Sequence, residues 1–215
     1  MTRIAVTRGH LLTALLALPL FSANPAAAVD FAPAAPGTRF EYECNSNIPN
    51  PINPARTAEI NIKVVDDNTV VYAQLINGTP RLEIRQPRSL YGTTLVEQIA
   101  TKQGTGKTVS GLDKFPNLRD LKVGSKHEGT IQWMGINGKE TTYQVTLVVS
   151  DQEKYRTIPF GYIPVIVLEE TWKGPRSTIT QLTYISPEKS AVVGWDYRIN
   201  KWGSEECWLS GAPVL

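Results

Sequence analysis

The feature that most constrains the fold is a two-residue alternation of apolar and polar side chains along most of the chain. It is clearest in residues 142–149, and residues 39–44, 59–64 and 81–85 show the same pattern. Successive side chains of a strand point to opposite faces, so this period is typical of half-buried antiparallel sheet and not of helix. The apolar positions in the clearest segment are Tyr143, Val145, Leu147 and Val149.

Turn signals separate the alternating segments. Asn77-Gly78 and Asn137-Gly138 each lie between two strand-like runs, which is a strong local signal for a β-hairpin. In the C-terminal half, residues 151–154, 173–175 and 186–188 predict the turns of a meander. Most of the domain is therefore expected to consist of strands joined by short connections.

Two segments depart from the alternation. Residues 45–54 contain three prolines and four asparagines and predict a loop. Phe115, Leu118 and Leu121 are spaced three apart, which predicts one short helical turn. The sequence thus predicts an all-β, mainly antiparallel fold: a strongly curved sheet or open barrel built from hairpins and a C-terminal meander, with at most one short helix.

The N-terminus has the three zones of an export signal. Arg3 and Arg8 precede an apolar run over residues 11–21, which is too short to cross a bilayer as a helix. Three alanines ending at Ala28 supply the small side chains that a signal peptidase requires. We expect residues 1–28 to be removed near Ala28 and the mature protein to be periplasmic or secreted; an N-terminal membrane anchor is the alternative interpretation of the run.

The remaining chain divides simply. Residues 29–37 are rich in alanine and proline and predict a mobile leader, and residues 38–215 are long enough for a single β domain with its own core. No later apolar stretch has the length of a membrane-spanning helix, so no membrane span is expected after cleavage.

The charge balance argues against nucleic acid as a partner. The chain has 22 basic and 20 acidic residues, and loss of Arg3 and Arg8 with the signal leaves 20 of each. Sequence-independent binding of nucleic acid requires an excess of Lys and Arg side chains over acidic ones. Residues 81–126 nevertheless carry nine basic against four acidic residues, which suits either an anionic partner or a solvated face without one.

The only two cysteines, Cys44 and Cys207, lie near opposite ends of the mature chain. In an oxidising compartment such a pair predicts one disulfide. Cys44 is expected to end the first strand, and Cys207 to lie in a tail after the last strand.

Few residues offer catalytic chemistry, and we predict no catalytic site, metal site or cofactor. Residues 104–108 resemble the end of a phosphate-binding loop but lack its first glycine, so they predict a flexible basic loop. His127 is the only imidazole left after removal of the signal, which is too little for a zinc site of the usual kind. The alternative is a hydrolase that acts on an envelope polymer and draws on Asp196, Glu169 or Glu170 with His127.

Aromatic residues crowd the last quarter of the sequence and supply the candidate ligand-binding residues. Trp195 and Tyr197 are two positions apart and therefore share one face of a strand. Together with Tyr184 and Trp172 they are expected to line a pocket for an apolar or glycan ligand, and core packing is the alternative role for the same side chains.

Three short motifs carry a resemblance to a known group of proteins. They are Leu121-Lys122-Val123-Gly124, Pro159-Phe160-Gly161 and the run over residues 183–188, Thr-Tyr-Ile-Ser-Pro-Glu. Over residues 112–198 the chain resembles a loose family of exported Gram-negative β-rich domains of unknown function. It departs from their pattern at Ile185 and Lys189. The resemblance implies export and β-architecture, and it carries over no catalytic residue.

Together these observations predict an exported, non-enzymatic binding or envelope-associated protein. Its expected partner is a small apolar or glycan ligand or an envelope protein. Beside the hydrolase, a second alternative is a scaffold subunit that pairs with another chain through an edge strand.

Overall fold

A computed structural model of the protein describes residues 31–47, 55–200 and 203–215. Its strands are β1 (Arg39–Ser46), β2 (Ala55–Val65), β3 (Thr69–Ile76), β4 (Thr79–Pro87), β5 (Gln98–Thr101), β6 (Gly104–Ser110), β7 (Lys126–Met134), β8 (Glu140–Thr157), β9 (Gly161–Lys173), β10 (Thr178–Ser186), β11 (Ala191–Ile199) and β12 (Gly203–Leu209). Each strand pairs antiparallel with its sequence neighbours, and β12 pairs with β1, so the sheet closes into a barrel.

The predicted all-β, antiparallel class is confirmed, and the sheet is closed, whereas the sequence suggested a curved sheet or an open barrel. In the described part of the chain, every strand has a hydrogen-bonded neighbour on both sides. The closed wall formed by the described residues therefore offers no sheet edge of the kind that the scaffold alternative requires.

Alternation decides which side chains enter the barrel. Phe40, Tyr42 and Cys44 are buried inside, while Glu41 and Glu43 between them are exposed on the outer face. Because β1 pairs in register with β2 and β12, the same alternation continues around the wall.

The connections define two ends of the barrel. The turns after β3, β5, β7 and β9 lie at one end, which we call the hairpin end. At the opposite, plugged end, two longer segments follow β4 and β6. The first is residues 88–97, which we call the strap, and the second is residues 111–125.

The predicted turns are confirmed in part. Asn77 and Gly78 have positive φ values of 49° and 73° and join β3 to β4, as the tight hairpin requires. The segment 135–139 joins β7 to β8, and the chain also turns between β9 and β10. The turn predicted at 151–154 is wrong, because those residues continue β8 and the chain reverses only after Thr157.

Two predicted irregular segments also differ. Residues 104–108 are part of β6 and are not a flexible loop. The glycine at position 106 is required by the packing of a neighbouring side chain. A Cβ there would lie 2.5 Å from the Trp133 ring, so the glycine gives the indole room against the wall. The loop predicted from residue 45 begins later, because Asn45 and Ser46 still pair with β12.

The plugged end is filled from inside by apolar side chains of the two long segments. The helical turn predicted over 115–121 is a short 3-10 turn, Leu118–Asp120, which follows another at Leu112–Lys114. Phe115, Leu118 and Leu121 are buried as their spacing predicted. A third 3-10 turn, Arg88–Leu90, begins the strap.

The start of the segment predicted to be a mobile leader is packed. Phe31 is only 4% exposed, and its ring stacks on Tyr91 of the strap at 5.3 Å between centroids. The predicted signal peptide and its cleavage near Ala28 lie outside the described residues. None of the helices described here has the length and apolarity needed to cross a membrane.

The structure contains the predicted disulfide, in a different setting from the one expected. Cys44 and Cys207 are directly opposite each other on β1 and β12, with their Cα atoms 4.1 Å apart. Cys207 therefore lies in a barrel strand and not in a tail. The bond joins the two strands whose pairing closes the barrel.

Candidate ligand-binding site in the barrel lumen

A cavity of about 230 Å³, partly open to solvent, lies inside the barrel. The strap forms one side of it, and the inner faces of β1–β5 and β10–β11 form the others. Its volume corresponds to roughly seven water molecules, which is below the usual range for drug-sized ligands. Its apolar lining comes from Ile60, Ile84, Val96, Ile99, Val192 and Trp195.

The polar lining of the cavity is uncharged. Hydroxyl and amide groups of Gln74, Thr93, Gln181 and Thr183 face it, and no Asp, Glu, Lys, Arg or His is found among the described residues that line it. The Gln181 amide donates to the Thr183 hydroxyl at 3.1 Å. The cavity therefore offers hydrogen bonds without a counter-ion for a charged ligand.

Three tyrosines complete the wall. Burial raises the pKa of Tyr42, Tyr72 and Tyr91, so their hydroxyls stay neutral. The Tyr42 hydroxyl donates to the carbonyl of Val192 at 2.8 Å, and its ring lies 4.7 Å from that of Trp195. This pair forms an aromatic corner of the cavity.

A buried glutamine shapes the strap. The side chain of Gln86 is fully buried, and its amide nitrogen lies 2.8 Å from the carbonyl oxygen of Leu90, 2.9 Å from that of Thr93 and 3.0 Å from that of Leu95. The two N–H groups of this amide are shared among the three carbonyl oxygens, which lie outside the barrel strands and so lack the partners that strand pairing would supply.

The strap is fastened to the opposite wall by a fully buried carboxylate. Glu170 of β9 accepts hydrogen bonds from the Thr94 backbone amide at 2.7 Å and from the Thr94 hydroxyl at 2.6 Å. The indole N–H of Trp172 donates to the same hydroxyl at 2.9 Å. Burial raises the pKa of Glu170 to about 7, although the hydrogen bonds from Thr94 and Trp172 act in the opposite direction.

Of the four predicted ligand-binding residues, Trp195 is the one found among the side chains that line the cavity, while Tyr197, Trp172 and Tyr184 lie elsewhere on the wall. Trp195 lines the cavity, and Tyr197 follows two positions later on the same inner face. Trp172 also lies on the inner side, where it contacts the strap through Thr94. Tyr184 points outward, because its neighbour Thr183 faces the cavity.

Tyr184 has a different environment outside the barrel. Its hydroxyl donates to Asp196 Oδ2 at 3.2 Å, and its ring stacks on Tyr155 at 4.2 Å between centroids. The inner wall instead has aromatics that sequence reasoning did not select. Tyr143 packs edge-on to Trp172 at 5.7 Å, and Trp133 covers Gly106.

The residues of the hydrolase alternative do not converge. Asp196 lies on the outer face with Tyr184, and Glu169 is exposed, whereas Glu170 is inside. His127 of β7 pairs with Leu147 of β8, which in turn pairs with Glu170 of β9. Two strand spacings of about 5 Å each therefore separate β7, which carries the imidazole, from β9, which carries the carboxylate. No hydrogen bond or ion pair between described residues joins His127 to a carboxylate, and a general base works at about 3 Å.

One cluster among the described residues has the composition of a metal site, namely Cys44, Glu205 and Cys207. Its two sulfurs are joined in the disulfide, so they are not available as thiolate ligands. Glu205 forms an ion pair with Arg56 on the inner face of the barrel. The cluster is thus explained by strand closure and by this internal ion pair.

The basic segment 81–126 is distributed over strands and the plug. Arg85 pairs with Glu97 at 3.0 Å, Lys114 with Asp113 at 3.2 Å, and both basic residues are more than half exposed. This arrangement is typical of solvated surface charge.

The fold and the site define a class: a closed antiparallel β-barrel with a strap across its lumen and an uncharged cavity beside the strap. The sequence matches no known family profile and no curated protein. The structure is similar to the hypothetical lipoprotein YmcC of Escherichia coli K12, with a TM-score of 0.49, 11% identity and coverage of 84% of this chain and 87% of the other. It is also similar to a Bacteroides fragilis protein with a YmcC-like fold, described as exported, with a TM-score of 0.44, 12% identity and coverage of 85% and 98%.

Proposed function

We propose that this is an exported, envelope-associated binding protein that holds an uncharged, partly apolar small molecule in the barrel lumen. The observation that carries the proposal is the cavity of about 230 Å³ between the strap and the aromatic wall. Cavities of this kind inside barrels are common ligand sites because the scaffold around them is rigid.

The lining restricts the chemistry of the ligand. Removing a charged group from water into a site without a counter-ion is costly, so the bound portion must be neutral. Ile84, Ile99 and the Trp195 ring favour an apolar chain or ring, while Gln74 and Gln181 can hydrogen-bond to hydroxyl or carbonyl groups. An apolar segment joined to a sugar-like or ester-like group satisfies both parts of the wall.

Export is supported by two separate features. The first is the signal-like N-terminus over residues 1–28. The second is the disulfide between Cys44 and Cys207, since such bonds persist in oxidising compartments and are rare in the cytosol.

Ligand binding is tested first on protein purified from its own envelope fraction. Native mass spectrometry is expected to find a bound small molecule that denaturation releases. Calorimetric titration with n-octyl-β-D-glucoside and octanol, below their aggregation concentrations, is expected to show binding. Octanoate and glucose are expected to bind at least tenfold more weakly, because the first is charged and the second lacks the apolar portion.

A pair of matched variants locates the binding. Ile99→Trp places an indole in the cavity and is expected to weaken octyl glucoside binding at least tenfold. Val109→Trp adds the same ring at a side chain that is 45% exposed on β6, and it is expected to leave binding unchanged. Equal effects of the two variants, or octanoate binding as tight as that of octanol, would contradict the proposal.

A further inference from the structure

The hairpin of β8 and β9 extends beyond the strands on either side of it. The pairing of β7 with β8 ends at Lys126 and Val148, and the pairing of β10 with β9 ends at Ile185 and Ile166. Residues 152–165 therefore pair only with each other in the sheet. We call this two-stranded segment the arm.

The base of the arm is anchored to the barrel. The Tyr155 ring stacks on Tyr184, and its hydroxyl occupies the space above Gly194 on the outer face. Near the tip, the amide of Ile158 donates to the carbonyl of Leu209 at 3.3 Å. The arm is thus held against the barrel at its plugged end.

The tip of the arm presents large apolar side chains to solvent. Tyr162 is 69% exposed and Ile158 is 54% exposed, whereas the other strands bury most of their large side chains. The turn between them makes hydrogen bonds within itself: the buried Thr157 hydroxyl accepts one from the Phe160 amide at 3.1 Å and donates one to the Gly161 carbonyl at 3.3 Å. Such a turn can move out of bulk water at little cost, because few of its backbone groups would then lack a hydrogen-bond partner.

Within residues 154–168 the charged side chains have one sign. Residues 154–168 include the exposed cations Lys154 and Arg156 and no acidic residue. Lys189 of the neighbouring turn lies over the Phe160 ring at 5.3 Å and also pairs with Glu188 at 2.7 Å. Cations on long stems beside exposed aromatic and aliphatic groups are suited to a surface with anionic headgroups above an apolar layer.

We infer that the arm tip docks on a lipid bilayer that contains anionic lipid, with Ile158 and Tyr162 in the interface and Lys154 and Arg156 on headgroup phosphates. Tyrosine is favoured at this depth because its ring is apolar and its hydroxyl is polar. A stable protein partner requires about 800 Å² per side, whereas the large apolar side chains that this turn exposes are Ile158 and Tyr162. A lipid surface requires no complementary shape.

The inference is tested by flotation of the mature protein, with its disulfide intact, on vesicles. Vesicles of phosphatidylcholine and phosphatidylglycerol at 3:1 are expected to bind it at least fivefold more tightly than pure phosphatidylcholine. The double variant Ile158→Ser, Tyr162→Ser is expected to lose at least fivefold in binding to the mixed vesicles. Lys154→Gln with Arg156→Gln is expected to remove the preference for phosphatidylglycerol.

Ile136→Ser is the matched control, because Ile136 is 52% exposed on a turn at the opposite end of the barrel. It is expected to bind vesicles as the unaltered protein does, and circular dichroism should show the same fold for all variants. Absence of vesicle binding by the unaltered protein, or equal losses in the control and the double variant, would overturn the inference. So would sedimentation velocity that shows a dimer abolished by the double variant, since a second copy would then be the occupant.

Discussion

Thr94 and Glu170 are 76 positions apart in the chain, yet the carboxylate of Glu170 accepts both the backbone and the hydroxyl hydrogen bond of Thr94. One residue lies in the strap and the other on β9, so this contact spans the lumen and fixes one side of the cavity. A carboxylate at this point costs desolvation free energy, because it has hydrogen bonds but no cationic partner among the residues that the structure describes.

The ionisation of Glu170 should make stability depend on pH. Its pKa is raised from the ordinary 4.5 to about 7 by burial. A raised pKa means that the folded state binds the proton more tightly than the unfolded state does. The protonated Glu170 therefore adds its full contribution to the free energy of unfolding below about pH 4.5, and this contribution is lost as the pH rises to about 7. It amounts to no more than about 3 kcal/mol of unfolding free energy.

Glu170→Gln is therefore expected to flatten the change in unfolding free energy between about pH 5 and pH 8. Urea unfolding of both proteins at the two pH values measures it. His127 and the surface carboxylates are common to both proteins, so the difference between the two slopes isolates Glu170. Identical slopes would show that Glu170 does not titrate in this range.

Thr94→Val tests the contact from the strap side. The substitution keeps the shape but removes the hydroxyl, which leaves the Trp172 indole N–H without its acceptor and Glu170 with one donor fewer. A buried group without its partner costs about 1–3 kcal/mol, so the free energy of urea unfolding is expected to fall by this amount. Thr105→Val, at an exposed position of β6, is the control and should change it by less than about 0.5 kcal/mol.

The class of the fold could be predicted from the sequence because alternation is a local signal, and most strands of this barrel are half-buried. Closure is not local. It depends on β12, whose inward positions are Glu205, Cys207 and Leu209. An acidic residue at an inward position breaks the apolar alternation, and only the structure shows Arg56 opposite it on the inner face.

The candidate site could be predicted in part for a related reason. Period-two spacing placed Trp195 and Tyr197 on one face, but it cannot relate one strand to the next. Thr183 and not Tyr184 is the inward residue, because the register pairs Thr183 with Trp195. The strap has no periodic pattern, so its contribution through Tyr91 and Thr94 had no signal in the sequence.

Removal of the disulfide should destabilise the protein without releasing β12. The bond closes a loop of 163 residues, and its loss corresponds to about 5 kcal/mol in the loop-entropy account, an upper figure. Cys44→Ala with Cys207→Ala is expected to lower the melting temperature. Because β12 pairs with β1 and β11, the segment from Gly203 to Leu209 should remain protected from protease at temperatures well below melting.

Two measurements check this expectation. Thiol titration of the denatured, unreduced protein should find no free thiol, and two free thiols per chain would remove its premise. Limited proteolysis with mass analysis should give the same pattern for the variant and the parent. Early cleavage within residues 203–209 of the variant would show that the disulfide, and not strand pairing, holds β12.

Gly194→Ala tests the packing of the arm on the barrel. A Cβ at Gly194 would overlap the Tyr155 hydroxyl and lie 2.7 Å from the Cys207 carbonyl oxygen, so the arm must shift outward or β11 must move. Overpacking of this kind costs about 1–3 kcal/mol, which urea unfolding measures. Adding Tyr155→Phe removes the hydroxyl and is expected to recover part of the loss, but not the part due to the Cys207 carbonyl.

Gly211→Ala is the control. Its added Cβ would lie 3.4 Å from the nearest atom, which belongs to the flexible Glu41 side chain, so the substitution should be nearly neutral. If Gly194→Ala were as neutral as the control, Tyr155 would not pack against β11 and the arm would not be fixed there.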